Sequence, residues 1–201
     1  MDNFANPHAQ EQTGLINAAM YVFGQNGYKK TSVADITARA GVAKGMVNYY
    51  FGSKKNLYLY LAELAGTYMV DELERQLDKS VVDFFDNIKM MTEIKISLIR
   101  QYPAIFSFLR SFYMEKAPEV SQEVQAFLAN SQETREKWLF ADFDSSRFKD
   151  DVDVRLISTF FVWAAEGAMA GIGPEMSMAE IEAFTADMFA CLDMMRKHFY
   201  R

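Results

Sequence analysis

Cysteine is all but missing from this chain of 201 residues. Cys191 stands alone, so neither an intramolecular disulfide framework nor a multi-cysteine zinc site can form, and a reducing compartment is expected. Histidine is nearly as scarce. His8 and His198 lie near opposite ends of the chain, there is no phosphate-binding loop and no metal-ligand spacing, so an enzyme has little support and neither metal nor cofactor is expected. Long apolar runs are missing too. The richest stretch, residues 159–172, falls short of the roughly 18 residues of a membrane helix and contains Glu166. With no leader pattern near Met1, the expectation is a cytoplasmic protein that makes no use of a membrane. Strand-like alternation is also lacking, whereas apolar residues recur at steps of three and four, which predicts an all-α chain.

Charge is unevenly spread. The net charge is −6, yet residues 1–57 hold six basic side chains against three acidic ones, and the remainder holds fifteen against twenty-four. The first part is therefore +3 and the second −9, so nucleic acid could meet only the first. Predicted domains follow that boundary: residues 1–57, and a larger helical part over 58–201.

Local signals predict about nine helices. The first covers about 8–26 and stops at Gly27, a residue that tolerates the left-handed conformation. Ser32 with Asp35 three residues on forms a capping-box pattern that opens a short second helix ending at Gly41. A third short helix spans about 43–50, with Val47 and Phe51 inward. A long fourth helix, the connector, starts near Ser53 and runs to about Lys79. Further helices are predicted near 82–101, 103–115 and 118–140, the last two starting at prolines. A loop over 142–149 precedes an antiparallel pair at 151–171 and 177–200, divided by Gly171, Gly173 and Pro174.

Two short helices joined by a glycine-containing turn suit a major groove. Phe23, Gly27, Thr31, Ser32, Val33, Ile36, Ala40-Gly41-Val42, Lys44-Gly45, Tyr49-Tyr50-Phe51, Ser53-Lys54 and Leu57 together resemble the TetR family signature over about fifty residues. The resemblance implies a three-helix helix-turn-helix domain that binds operator double-stranded DNA as a homodimer, and a variable C-terminal bundle for dimerisation and ligand binding. It also implies that Lys44, Gly45, Asn48, Tyr49 and Tyr50 contact DNA from the recognition helix, and that Thr31, Ser32 and Lys54 grip phosphate. Asn48 stands where the family commonly has tyrosine, and Lys55-Asn56 replaces the usual acidic residues.

Aromatic and methionine side chains crowd the acidic part, and most belong to a core. Phe108, Phe112, Tyr113, Trp138 and Trp163, with Glu166, are the candidate effector pocket, suited to a small hydrophobic or cationic molecule. Glu166 has a second reading as a paired structural carboxylate at an interface. Ala168, Phe184, Met188, Leu192 and Met195 are the candidate dimer interface, with Cys191 expected to be buried there. The function implied is a ligand-responsive repressor. The alternative is a DNA-bound scaffold of the same fold whose second domain serves a protein partner.

Overall fold

A computed structural model describes residues 7–140, 143–171 and 177–201, and within them all side chains except those of residues 7–9, 165–166 and 168–171. The described residues form helices α1 (Pro7–Lys30), α2 (Val33–Ala40), α3 (Met46–Phe51), α4 (Lys54–Gln76), α5 (Phe84–Gln101), α6 (Pro103–Tyr113), α7 (Ser121–Phe140), α8 (Val154–Gly171) and α9 (Met178–Phe199), with one 3-10 turn at Ser145–Arg147. None of the described helices is long and apolar enough to cross a membrane.

The helix ends have local causes. Gly27 breaks α1 with φ 73°, and one further turn carries the chain to Lys30. Ser32 and Asp35 form the reciprocal capping box: the Asp35 N–H donates to Ser32 Oγ at 3.1 Å and the Ser32 N–H to the Asp35 carboxylate at 2.9 Å. The same device recurs at Ser177 and Glu180 before α9. Pro103 occupies the first turn of α6 as expected. Pro118 does not open α7. It sits in a turn in which the Val120 N–H reaches the Ala117 carbonyl at 3.1 Å, and the helix begins three residues later. The third helix is also shorter than expected, because residues 43–45 form a turn closed by the Met46 N–H on the Ala43 carbonyl.

The chain forms two compact units, one of Met1–Glu72 with Gln101–Asn130 and one of Leu73–Arg100 with Ser131–Arg201. The unit holding the helix-turn-helix is thus larger than residues 1–57, because α6 packs against α1. The two helices approach closely at Gly24, where an added Cβ would stand 2.7 Å from Ser107 Oγ and 3.1 Å from the Phe108 nitrogen. Phe23, Tyr58, Phe108 and Phe112 are fully buried around that crossing, with Phe23 and Tyr58 edge to face at 4.9 Å.

In the second unit Phe84, Phe85, Phe148 and Tyr200 form an aromatic cluster. An isolated antiparallel bridge joins Phe148 to Tyr200. Beside it Asp83, 8% exposed, accepts from the backbone N–H groups of Phe85 and Asp86, capping the start of α5. The same carboxylate meets Arg147 at 2.8 Å and Arg196 at 3.0 Å. Burial works to raise the Asp83 pKa, but those N–H groups and guanidiniums outweigh it and hold the carboxyl below its ordinary range.

Candidate nucleic-acid interface

The short helix α3 is anchored by one apolar residue. Val47 is fully buried and Met46, Tyr50 and Phe51 are half-buried, which turns Asn48 and Tyr49 outward beside the exposed Lys44 and Gly45. Gly41 and Gly52 bound this segment with φ of 70° and 75°, conformations that disfavour any residue with a Cβ. Tyr49 is 71% exposed and its ring leans on that of Tyr50, with centroids 4.9 Å apart. Gly45 makes a separate point. Its φ of −70° suits any residue and a Cβ there would meet no atom within 4 Å, so nothing inside the unit requires glycine.

The remaining expected contacts are used internally. Thr31 is buried, and its hydroxyl donates to the Gly27 carbonyl at 2.7 Å, which ties the turn after α1. Lys54 Nζ donates to the carbonyls of Tyr28 at 3.0 Å and Thr31 at 2.9 Å, and stands 4.1 Å from the centre of the Tyr28 ring. It closes the end of α1 with positive charge, where unpaired carbonyls collect. The Tyr50 hydroxyl donates to Glu11 at 3.1 Å, fastening α3 to α1. Ser32 is exposed, and its hydroxyl serves the α2 cap.

Two residues that sequence reasoning missed complete the frame. Glu115 accepts the Tyr28 N–H at 2.7 Å and the N–H groups of Lys116 and Ala117 at 3.0 and 2.8 Å, holding the segment after α6 against the end of α1. Arg39 lies 3.4 Å from the centre of the Tyr21 ring and stays exposed beside the second helix. The spacing of Glu115 from Tyr28 carries no local signal. Arg39 was legible as a basic residue of the first part, without its ring partner.

The expected effector residues divide between the two units. Phe108 and Phe112 are corrected: both are fully buried in the core of the first unit, with no surface left for a ligand. Tyr113 is half-buried in that same unit. Trp138 donates its indole N–H to Glu74 at 3.2 Å in the second unit. Trp163 lines a cavity of about 100 Å³ with Gln132, Arg135, Glu136, Ser158, Thr159 and Val162. The side chain of Glu166, like that of Ala168, lies outside the described residues.

Of the expected interface, Leu192 is also corrected, being fully buried within the protein, while Phe184, Met188 and Met195 are half-buried. Cys191, expected to be buried between two copies, is exposed on the single chain. The outward apolar stripe is a different set. Leu156, Phe160 and Trp163 are 52–62% exposed on α8, and Met194 is exposed on α9. Helical phase decides this, since one step along α9 turns a side chain by about 100°, enough to carry it from the packed face to the exposed one.

A capped helix, a tight turn and a short protruding helix at the basic end of an all-helical chain define a DNA-binding regulator of the helix-turn-helix class. Comparison with known proteins agrees: residues 15–61 match the model of bacterial regulatory proteins of the tetR family. The helix-turn-helix regulator YvdT of Bacillus subtilis is 35% identical over 63 residues, which is 31% of this chain and 32% of that protein. The fatty acid metabolism regulator protein of the same organism is 22% identical over 142 residues, 71% of this chain and 73% of its own. Among solved structures, a TetR family transcriptional regulator from Chloroflexus aurantiacus has a TM-score of 0.72 at 20% identity, covering 98% of this chain and 96% of its own. FadR from Bacillus subtilis, solved with stearoyl-CoA, has a TM-score of 0.65 at 18% identity, covering 90% and 97%. Residues 15–61 therefore carry the DNA-binding module of the TetR family of transcriptional regulators, and the solved structures share the fold of the whole chain.

Proposed function

We propose that this protein is a homodimeric repressor of the cytoplasm that holds operator DNA through its third helix and lets go when a small molecule enters the second unit. The observation that carries the reading is the outward set Lys44, Gly45, Asn48 and Tyr49, exposed on the turn before α3 and on that short helix, whose other residues are packed. Lys44 supplies a donor to guanine or phosphate, Gly45 admits the DNA backbone, Asn48 reads adenine, and the Tyr49 ring meets thymine methyls. Ser32 lies at the rim, where the N-terminus of α2 suits a phosphate. Thr31, Tyr50 and Lys54 act one step back, by fixing the angle at which the helix is presented.

Two copies are needed because a palindromic operator repeats its major groove about every 34 to 36 Å. The stripe of Leu156, Phe160 and Trp163 supplies an apolar surface for pairing. Its small neighbours Ala164 and Gly167 are exposed and permit close helix approach. A ligand that alters the spacing of the two recognition helices lowers affinity without touching them.

The test is selection of binding sequences from random duplexes by the purified protein, followed by anisotropy titration of the recovered site. A palindromic site whose affinity is lost in Tyr49→Ala and in the dimer-breaking Phe160→Glu supports the reading. A recovered site without two-fold symmetry, or one bound equally by Tyr49→Ala, overturns it.

A further inference from the structure

Helices α1 and α6 lie side by side in the first unit, closed at one end and open at the other. Towards their C-terminal ends they touch: the Ser111 hydroxyl donates to the Phe23 carbonyl at 3.0 Å, and Gly24 leaves no room for a Cβ beside Ser107. Nearer their N-terminal ends they part around a cavity of about 440 Å³, whose third wall is Leu64, Ala65 and Tyr68 of α4. Every lining residue belongs to the first unit. The volume falls within the range of about 300–1,000 Å³ of small-molecule sites and is several times that of the cavity at Trp163. Met20 and Ala65 are buried in its floor, and Leu64 is 39% exposed at its edge. The rings of Tyr68 and Tyr102 meet edge to face, with centroids 4.9 Å apart. None of the eleven lining residues is acidic, basic or histidine; besides the tyrosines, the polar groups are the amides of the exposed Asn17 and Gln101.

We propose that this cavity is a ligand site inside the DNA-binding unit itself, separate from any site in the second unit, and that it takes a neutral, mostly apolar molecule bearing an aromatic ring. With no charged side chain in the lining, an ionised ligand would lose its hydration with nothing to replace it. The two tyrosine rings offer edges and faces to an aromatic partner, and a side-chain amide can serve one polar group of the ligand. Occupancy reaches α3 through α1. Glu11, which accepts from the Tyr50 hydroxyl at 3.1 Å, stands a little over one turn before Ile16 of the cavity wall. Lys54 holds the other end of α1 through Tyr28 and Thr31. A molecule seated between the open ends props α1 off α6 and fixes that carboxylate, which removes the freedom α3 uses to settle into a groove. Operator affinity falls, and by linkage the operator lowers affinity for the ligand by the same factor.

The experiment uses the full chain and four probes: naphthol, naphthoate, naphthylmethylammonium and decanol. Binding is followed first by calorimetry without DNA. Naphthol should bind at least tenfold more tightly than either charged analogue and severalfold more tightly than decanol. Ala104→Phe, at an exposed lining position, fills the mouth and should lower naphthol affinity at least tenfold. Tyr102→Ala removes one of the two rings and should lower it severalfold; Tyr102 stands at the start of α6 without a side-chain bond that caps the helix. Should Ala104→Phe fail to fold, Tyr102→Ala decides. Anisotropy on the selected operator should then show naphthol weakening operator binding at least fivefold and the operator weakening naphthol binding equally. Both effects should shrink in Glu11→Ala, with naphthol affinity in the absence of DNA unchanged. No binding of naphthol, equal affinity for a charged probe or for decanol, or affinity untouched by either cavity substitution overturns the site. Operator release by naphthol that survives Ala104→Phe overturns it too and leaves sensing by the second unit intact. Naphthol binding without any change in operator affinity overturns the regulatory role. Failure to recover an operator counts against the function proposed above and not against the cavity, which the calorimetry decides alone.

Discussion

Replacing Lys54 with methionine separates two roles that one lysine near a helix start can play. In the structure its ammonium is held by the carbonyls of Tyr28 and Thr31 at 3.0 and 2.9 Å and lies over the Tyr28 ring. A hydrogen bond to a charged group contributes about 1.5–3 kcal/mol, and a cation over a ring about 0.5–1 kcal/mol at a partly exposed site. Lys54 is half-buried, and methionine keeps most of the stem packing, so the net loss is about 2 kcal/mol. For a chain of this size that lowers the melting temperature by about 4–8 °C. The assay pairs thermal unfolding with operator titration across a salt series. A lysine whose main role is phosphate contact would leave melting unchanged and reduce the slope of log affinity against log salt by about 0.9. The expected outcome for Lys54→Met is a lower melting temperature with the slope retained. Lys44→Met, on an exposed residue, should show the opposite pattern. If the two variants exchange these behaviours, the structural assignment of Lys54 is wrong.

Other substitutions test single features. Gly45→Ala should leave unfolding within about 0.5 kcal/mol of the parent, since its Cβ meets open space, while weakening operator binding at least tenfold; calorimetry and anisotropy together check this. Tyr58→Phe removes a fully buried hydroxyl that has no partner and whose pKa burial pushes up, so stability should rise by about 1 kcal/mol in denaturant titration. Asp83→Asn should cost about 2 kcal/mol at neutral pH, because Arg147 and Arg196 lose their shared carboxylate while both remain partly in water. The Asp83 pKa is depressed in the fold, so its contribution is full above the unfolded value near about 3.9 and is lost as pH falls through the lower folded one. Circular dichroism against pH should therefore show a shallower acid transition in the variant.

Much of the first unit was legible because its signals are local. The Ser32 and Asp35 cap, the left-handed Gly27 and Gly41, and the inward Val47 each follow from neighbours within about four residues, and the structure keeps them all. Family resemblance added the set expected to contact DNA, and exposure singles out Lys44, Gly45, Asn48 and Tyr49 within it. Resemblance did not separate a lysine that touches DNA from one that caps α1, because either role needs a cation at the same place. In the acidic part after residue 57, composition announced many aromatics without saying which were core. Phe108 and Phe112 pack with Phe23 and Tyr58, partners fifty or more residues away.

By itself the sequence determined the helical class, the basic and acidic halves, the caps and turns of the helix-turn-helix, and the lack of cysteine and histidine clusters. These depend on spacing along the chain and on residue type, which are read directly. Tertiary structure alone decided that Glu115 braces the turn after Gly27 and that Lys54 closes α1. It also decided that Leu192 points in and Cys191 out, and that Arg135 has a buried nitrogen with no acceptor among the described residues. Such facts come from contacts between distant residues and from the rotation of each helix about its own axis, where a step of one residue turns a side chain by about 100°.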